Sequence, residues 1–166
     1  MMSNIKDKFS STKLIDGFSA CFRQFSADKT HCKFLHGYSI YFHVTFEGEL
    51  DERGWIMDFG FLKRSKNKIN WDGYDFNVGD WFKYIFDHTV IVAEDDPFLT
   101  EFKKAHELKI IQLRILPKVG CERFAKLVYE VLNEFIYKET NDRVRVTRVE
   151  CFEHEKNSAI YEQQVL

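Results

Sequence analysis

Long apolar runs are missing from this sequence of 166 residues. No stretch approaches the roughly 18 apolar residues of a membrane-spanning helix, and the start of the chain has no apolar signal-peptide core. Only two prolines occur, and no repeat, low-complexity tract or Gly/Ser linker divides the chain. We therefore expect no membrane partner and a single domain over residues 1–166, with residues 1–16 as a loosely ordered N-terminal segment.

A strong charge of one sign and a disulfide framework are also missing. The 24 Lys+Arg and 26 Asp+Glu leave a formal charge of -2, which argues against a nucleic-acid partner. The four cysteines form no CxxC pair, so reduced thiols in the cytoplasm are expected. What the sequence does have is 17 Phe, which indicates a thick core or apolar surface buried between subunits.

Alternation of apolar and polar residues predicts the strands. Residues 36–46 alternate throughout, a turn rich in glycine and acids follows, and residues 55–57 are expected to form the return arm of a hairpin. Further short strands are expected at residues 110–116, 144–151 and 160–161. The apolar phase slips between Val146 and Val149, which predicts a β-bulge.

Helical periodicity is clearest over residues 121–139, where apolar residues recur every three or four positions. Asp58 is predicted to cap a helix over residues 59–68. Shorter helices are expected over residues 81–86 and in a charged segment that ends near Leu108, with loops over residues 70–80 and 87–97. This order of elements predicts an α+β fold with an antiparallel sheet.

A small set of side chains could carry chemistry. They are Cys32, His36, the adjacent Asp87 and His88, Glu122 and Glu153. Each also has an ordinary structural interpretation: a reduced cysteine in an apolar niche, a histidine at a strand end, a solvated loop pair, a partner of a helix dipole and a charged sheet edge.

Taken in order, these residues match the motifs of a known family. The matching segments are FSACF (18–22), CKFLHGY (32–38), GWIMDFGFLK (54–63), FDH (86–88), ERFA (122–125), Glu153 and AIY (159–161). The chain resembles the 6-pyruvoyl-tetrahydropterin synthase and 6-carboxytetrahydropterin synthase family over roughly residues 18–162.

The resemblance implies the tunnelling fold. In that fold each subunit contributes a four-stranded antiparallel sheet backed by two helices, and three subunits close a barrel that stacks on a second trimer. A trimer or hexamer with sites between its subunits is therefore expected. The ligand that the resemblance implies is a pterin or a similar purine-like ring.

The resemblance also implies roles for individual residues. Glu153 would anchor the pterin ring and Glu122 would contact the ligand, because a carboxylate can accept two hydrogen bonds from a guanidine-like edge. Cys32 would act as a base that removes a carbon-bound proton, and Asp87 with His88 would assist it as a proton relay.

The sequence departs from the family at its zinc site. The family holds zinc with three histidines, and the matching positions here are Phe22, His36 and Tyr38. Phenylalanine cannot coordinate, and tyrosine must first lose a proton of pKa about 10. We expect zinc to be absent or weakly bound, although a site rebuilt around His36 from Cys21, Cys32 or His31 is an alternative.

Three functional hypotheses follow from these residues. The first is an enzyme of the lyase type that acts on a dihydropterin such as dihydroneopterin triphosphate through Cys32, Asp87 and His88. The second is a binding or assembly protein without catalysis. The third is a tunnelling-fold protein that acts on another purine-like substrate.

Overall fold

The computed structural model describes residues 8–163. Over this range the chain forms the strands β1 (Phe9–Phe22), β2 (His36–Gly48), β3 (Ile69–Trp71), β4 (Tyr74–Phe76), β5 (Thr89–Ala93), β6 (Leu113–Leu116), β7 (Val144–His154) and β8 (Asn157–Glu162). The helices are α1 (Phe61–Arg64), α2 (Val78–Phe86), α3 (Leu99–Glu107) and α4 (Cys121–Glu139), and a short 3-10 helix spans His31–Lys33. None of the helices in this range combines the length and apolar character needed to cross a membrane.

The main sheet has the strand order β6-β5-β1-β2-β7-β8. Its centre is the antiparallel set β1-β2-β7-β8, which confirms the expected α+β class. The expectation of an antiparallel sheet alone was wrong at one edge, where β5 and β6 add in parallel to β1. All five residues of β5 are buried, as is typical of a parallel strand that is covered on both faces.

Helices α2 and α4 cover one face of the sheet. The buried side chains of α4 recur at helical spacing, which gives the helix one apolar face. Helix α2 contributes Trp81, Phe82 and Phe86, and the Asn77 side chain caps its start by accepting a hydrogen bond from the Asp80 N–H at 2.9 Å. The central strand β2 contributes Phe42, Val44 and Phe46, which are fully buried, and Phe42 packs against Phe82 and Phe86 of α2.

The predicted β-bulge in β7 is confirmed. Thr45 of β2 pairs with Arg148 and the next residue, Phe46, pairs with Val146, so Thr147 is the extra residue. The bulge returns Val146 and Val149 to the same buried face.

The expectation of a loosely ordered segment over residues 1–16 was wrong for Phe9–Asp16, because these residues form the first half of β1. They pair with β2 from Phe9 opposite Gly48 to Ile15 opposite Phe42. Leu14 and Ile15 are adjacent apolar residues, but only Ile15 is buried. The alternation of apolar and polar residues is therefore weak here, and the strand depends on its pairing with β2. Residues 1–7 lie outside the described residues.

Further expectations need correction. Residues 55–57 form no strand, and the helix expected over residues 59–68 is reduced to Phe61–Arg64. The carboxylate of Asp58 accepts from the Gly60 N–H at 2.7 Å, but Gly60 itself precedes the helix. The supposed loop over residues 70–80 contains most of the β3-β4 hairpin and the start of α2. The loop over residues 87–97 contains β5, and the strand expected from residue 110 begins at Leu113.

Candidate functional site

Four elements bring chemistry-bearing side chains together at one end of the central strands. The 3-10 helix carries Cys32, the start of β2 carries Tyr38, the first turn of α4 carries Cys121 and Glu122, and the end of β7 carries Glu153. Tyr38 and Cys151 lie on the helix-covered face with Phe42, because residues of a strand alternate between faces. The site therefore forms where this face meets the turn between β1 and β2.

The turn that carries Cys32 is held by local hydrogen bonds. The Cys32 N–H donates to the Thr30 hydroxyl at 3.2 Å, and the Cys32 carbonyl accepts from the Gln24 N–H at 2.8 Å. Cys32 is half-buried, so its thiol is not sealed in the core. An accessible thiol on an ordered turn is suited to proton transfer.

Tyr38 lies within electrostatic range of the other groups of the site. Burial, followed by the negative charges of Glu153, Cys32 and Cys121, raises the pKa of its phenol to about 12. These contributions place the predicted base and the predicted ring anchor within electrostatic range of the same phenol. The phenol keeps its proton at neutral pH and is a hydrogen-bond donor.

Glu153 sits at a second irregularity of β7. Phe152 pairs with Ser158 and His154 pairs with Asn157, so Glu153 is the extra residue of a bulge. One of its carboxylate oxygens accepts from the Asn157 side chain at 2.9 Å. The Glu153 side chain is 24% exposed, which leaves it within reach of a ligand.

The start of α4 adds residues that sequence reasoning missed. Gly120 precedes the helix with a φ of +120°, and a Cβ there would lie 2.5 Å from the side-chain nitrogen of Gln24. The same Cβ would lie 3.5 Å from a carboxylate oxygen of Glu122, so these three residues are neighbours. The φ of +120° favours glycine at this position, and the glycine before the helix was the available signal.

Two buried cysteines lie behind the site. Burial raises the pKa of the Cys151 thiol, and a hydrogen bond with Cys121 raises it as well. Cys151 is fully buried, and the charges of Glu122 and Glu153 act on it in the same direction. Cys151 therefore stays a neutral thiol at neutral pH, unlike a catalytic thiolate.

Asp87 and His88 form a separate pair at the start of β5. The Asp87 carboxylate accepts from the Ser19 N–H at 3.3 Å and lies 3.0 Å from Nδ1 of His88. Over residues 8–163, neither side chain makes a hydrogen bond or ion pair with Cys32 or Glu153. The structure thus brings Cys32 and Glu153 within electrostatic range of Tyr38, whereas Asp87 and His88 bond to each other and to Ser19.

The backbone of His88 has an unusual conformation. Its φ of +55° lies in the left-handed region, which residues other than glycine rarely adopt. The His88 N–H donates to the Ser19 carbonyl at 2.7 Å, and the His88 carbonyl accepts from the Gln112 side chain at 3.2 Å. The imidazole is 78% exposed and lines a cavity of about 460 Å³ with Cys21 and His106.

Comparison with known protein families identifies the family of this chain. The family model of 6-pyruvoyl tetrahydropterin synthase matches residues 12–164. The chain belongs to this family. A comparison with curated proteins found no match.

Solved structures of similar fold cover almost the whole chain. An uncharacterized protein from Wolinella succinogenes has a TM-score of 0.76 at 21% identity, over 96% of this chain and 100% of that chain. The 6-pyruvoyl tetrahydropterin synthase of Caenorhabditis elegans has a TM-score of 0.59 at 17% identity, over 95% and 97% of the two chains. That of Plasmodium vivax has a TM-score of 0.61 at 14% identity, over 95% and 99%.

The zinc ion of the 6-pyruvoyl tetrahydropterin synthase family does not fit the residues that this member places at the metal positions. The ring of Phe22 is buried and stacks on Tyr38 with centroids 4.3 Å apart and planes 19° from parallel. Nδ1 of His36 donates to the Phe34 carbonyl at 2.8 Å, so one imidazole nitrogen remains. Among residues 8–163, no three His, Cys, Asp or Glu side chains form a metal-binding group. A single nitrogen beside two stacked aromatic rings is not a three-ligand zinc site.

Proposed function

We propose that this member of the family binds a pterin or similar purine-like ring beside Tyr38, between Cys32 and Glu153. We further propose that it acts on a dihydropterin such as dihydroneopterin triphosphate by acid-base chemistry. The observation that carries the proposal is the meeting of Cys32, Tyr38 and Glu153 at one end of the sheet. Family membership over residues 12–164 supports the choice of ring.

Glu153 is the proposed anchor of the ring. Within the described residues only one of its two carboxylate oxygens accepts a side-chain hydrogen bond, from Asn157. The other oxygen is available to the N–H groups of a pterin edge, and a charged acceptor strengthens such bonds. Glu122, exposed in the first turn of α4, is the second proposed ligand contact.

Cys32 is the proposed base. Its thiolate would take a proton from a carbon of the ligand side chain, so that a C–H bond breaks, an S–H bond forms and the electron pair stays on the ligand. Asp87 and His88 are the proposed relay that returns the proton. Because this pair makes no hydrogen bond or ion pair with Cys32 among residues 8–163, the relay is proposed to come from a second copy in a trimer or hexamer.

The reaction is proposed to proceed without zinc, because Phe22 and Tyr38 fill the positions of two ligands. We place the protein in the cytoplasm, since all four cysteines are free thiols. No nucleic acid and no membrane is proposed as a partner.

Ring binding is tested by titrating 7,8-dihydroneopterin into the full chain and following pterin fluorescence. We expect Glu153→Gln to weaken binding about tenfold or more, because a hydrogen bond to a charged group contributes about 1.5–3 kcal/mol. Glu150→Gln is the matched control, since the Glu150 carboxylate lies on the same strand and is already bound by Arg148 and Ser158. Equal weakening in both variants, or none in either, would overturn the role of Glu153.

Catalysis is tested by chromatography of dihydroneopterin triphosphate incubated with chelator-treated protein. We expect turnover by the wild type and by Cys21→Ala, and a loss of at least a hundredfold in Cys32→Ala. Cys21 is the matched control because it is also a half-buried free thiol.

A non-catalytic binding protein is the second candidate. The aromatic replacement of two zinc ligands favours it, because the Lewis acid that the family uses is then missing. Tight binding of the ring with no product after long incubation would support this candidate over the enzyme. Recovery of a ligand other than a pterin from the purified protein would instead favour a different substrate.

A further inference from the structure

The hydroxyl of Tyr38 differs from those of Tyr84 and Tyr129, two other tyrosines packed in or against the core. The Tyr84 hydroxyl donates to Asp72 at 3.2 Å, and the Tyr129 hydroxyl donates to the Gln163 side chain at 3.2 Å. The Tyr38 hydroxyl has no hydrogen-bond partner among residues 8–163, and it is not sealed from solvent. A polar group on a largely buried ring thus remains available to a ligand.

The ring that carries this hydroxyl is held firmly. Phe22 stacks on one side at 4.3 Å, and the imidazole of His36 lies 4.5 Å away at a tilt of 41°. Phe22 is itself held edge-on by Phe124 of α4 at 5.1 Å. A donor on an immobilised ring loses little conformational freedom when a ligand binds.

The position of this donor coincides with the metal positions of the family. Phe22 and His36 face each other across β1 and β2, and Tyr38 follows two residues later on the same face. We propose that the Tyr38 hydroxyl replaces the missing metal by donating a hydrogen bond to an oxygen on the side chain of the bound ring. This inference rests on the proposed function and adds a ligand-binding residue to it.

The chemistry of the ligand follows from the neighbours of Tyr38. The side chains of Cys32 and Glu153 become negative when they lose a proton, and both lie within electrostatic range of the phenol. The phenol therefore keeps its proton and is a donor, and its partner is an acceptor. A carbonyl or hydroxyl oxygen on the ligand side chain meets this requirement. A ring without such an oxygen would gain nothing from Tyr38.

The test compares two rings in wild-type protein and in Tyr38→Phe, which keeps the ring stack and removes only the hydroxyl. We expect 7,8-dihydroneopterin, which carries side-chain hydroxyls, to bind about five- to tenfold more weakly to the variant. We expect 7,8-dihydropterin, which has no side chain, to bind equally to both proteins. Tyr84→Phe is the control, because its hydroxyl already has a partner in the chain.

The outcomes separate this inference from the proposed function. Equal binding of both rings to the wild type and to Tyr38→Phe would overturn the inference and leave ring binding intact. Equal weakening of both rings would also overturn it, since a merely structural role would affect both. Failure of the wild type to bind either ring would overturn the proposed function and the inference with it.

Metal uptake gives a readout that does not depend on a pterin. We expect Phe22→His/Tyr38→His, which restores three histidines with His36, to take up about one equivalent of zinc after folding. The wild type and Phe22→His alone are expected to take up far less. Stoichiometric zinc in the wild type would overturn the replacement of the metal by Tyr38. If the double variant does not fold, Tyr38→His and the zinc content of the wild type decide the same question.

Discussion

Phe22 and Arg23 are neighbours at the end of β1, but opposite kinds of interaction hold their side chains. Phe22 is buried among the rings of Tyr38 and Phe124. The side chain of Arg23 makes a bidentate ion pair with the buried carboxylate of Asp96, with N–O distances of 2.8 and 2.7 Å. Its guanidinium also lies 5.2 Å from the ring centre of Phe98.

The difference shows that two kinds of interaction hold the turn that carries Cys32: aromatic packing on one side and an ion pair on the other. The aromatic stack depends on apolar burial and is insensitive to pH. The ion pair depends on a charge and is sensitive to pH. Arg23 also donates to the Lys33 carbonyl at 3.4 Å, beside Cys32, so the charged anchor reaches the turn itself.

Removing the aromatic anchor should have the largest effect. Phe22→Ala is expected to lower the free energy of unfolding by about 3–5 kcal/mol, because it leaves a cavity in a packed core. Urea denaturation followed by tryptophan fluorescence measures the change. Phe22→Leu, which keeps most of the volume, should lose clearly less. A loss below about 1 kcal/mol for the alanine variant would contradict the importance of the stack.

Breaking the ion pair should come next and should depend on pH. Asp96→Asn is expected to cost about 3 kcal/mol at pH 7, because it leaves Arg23 partly buried without its counter-charge. Although burial alone would raise the pKa of the Asp96 carboxyl, hydrogen bonds from Arg23 and from the Phe98 N–H lower it overall.

The sign of the pH dependence follows from that lowered pKa. The contribution of Asp96 is fully present above its unfolded pKa of about 3.9 and is lost as pH falls through the lower folded value. The difference between wild type and Asp96→Asn should therefore be constant from pH 7 to 5 and shrink below about pH 4. Urea denaturation at pH 7, 5 and 3 measures it. A difference that stays constant down to pH 3 would show that the charge of Asp96 is not involved.

Changing the shape of the cation should have the smallest effect. Arg23→Lys keeps the charge but loses the fork that binds both carboxylate oxygens, and we expect a loss of about 1 kcal/mol. Thermal denaturation detects a change of this size. Arg123→Lys is the control, because Arg123 is exposed on α4. Equal effects of the two substitutions would mean that the fork geometry contributes nothing.

Strong periodic patterns were sufficient to predict the larger elements. Residues 121–139 match α4 residue for residue, and the alternation over residues 36–46 identifies β2. The slip between Val146 and Val149 predicts the bulge that the pairing with β2 shows. The weakly patterned half of β1 was missed, because its residues become a strand only through hydrogen bonds to β2.

The candidate site was predictable in part. Motif order points to Cys32, Glu122 and Glu153, and these residues lie around the start of β2 and α4. Motif order also predicts that Asp87 and His88 belong to the same site, whereas in a single chain Asp87 bonds to Ser19 and His88. Local sequence does not determine which strand a loop will pack against. The distances between the motifs could therefore not be predicted.

By itself, the sequence determined the α+β class, the family and the loss of two zinc-ligand histidines, because these depend on side-chain identity and on short-range periodicity. Only the tertiary structure decided that Tyr38 stacks on Phe22 with its hydroxyl available, and that Arg23 holds the neighbouring turn through Asp96, 73 residues away. The physical reason is that both contacts join segments distant in sequence. Their strength depends on burial, and burial exists only once the sheet and helices have assembled.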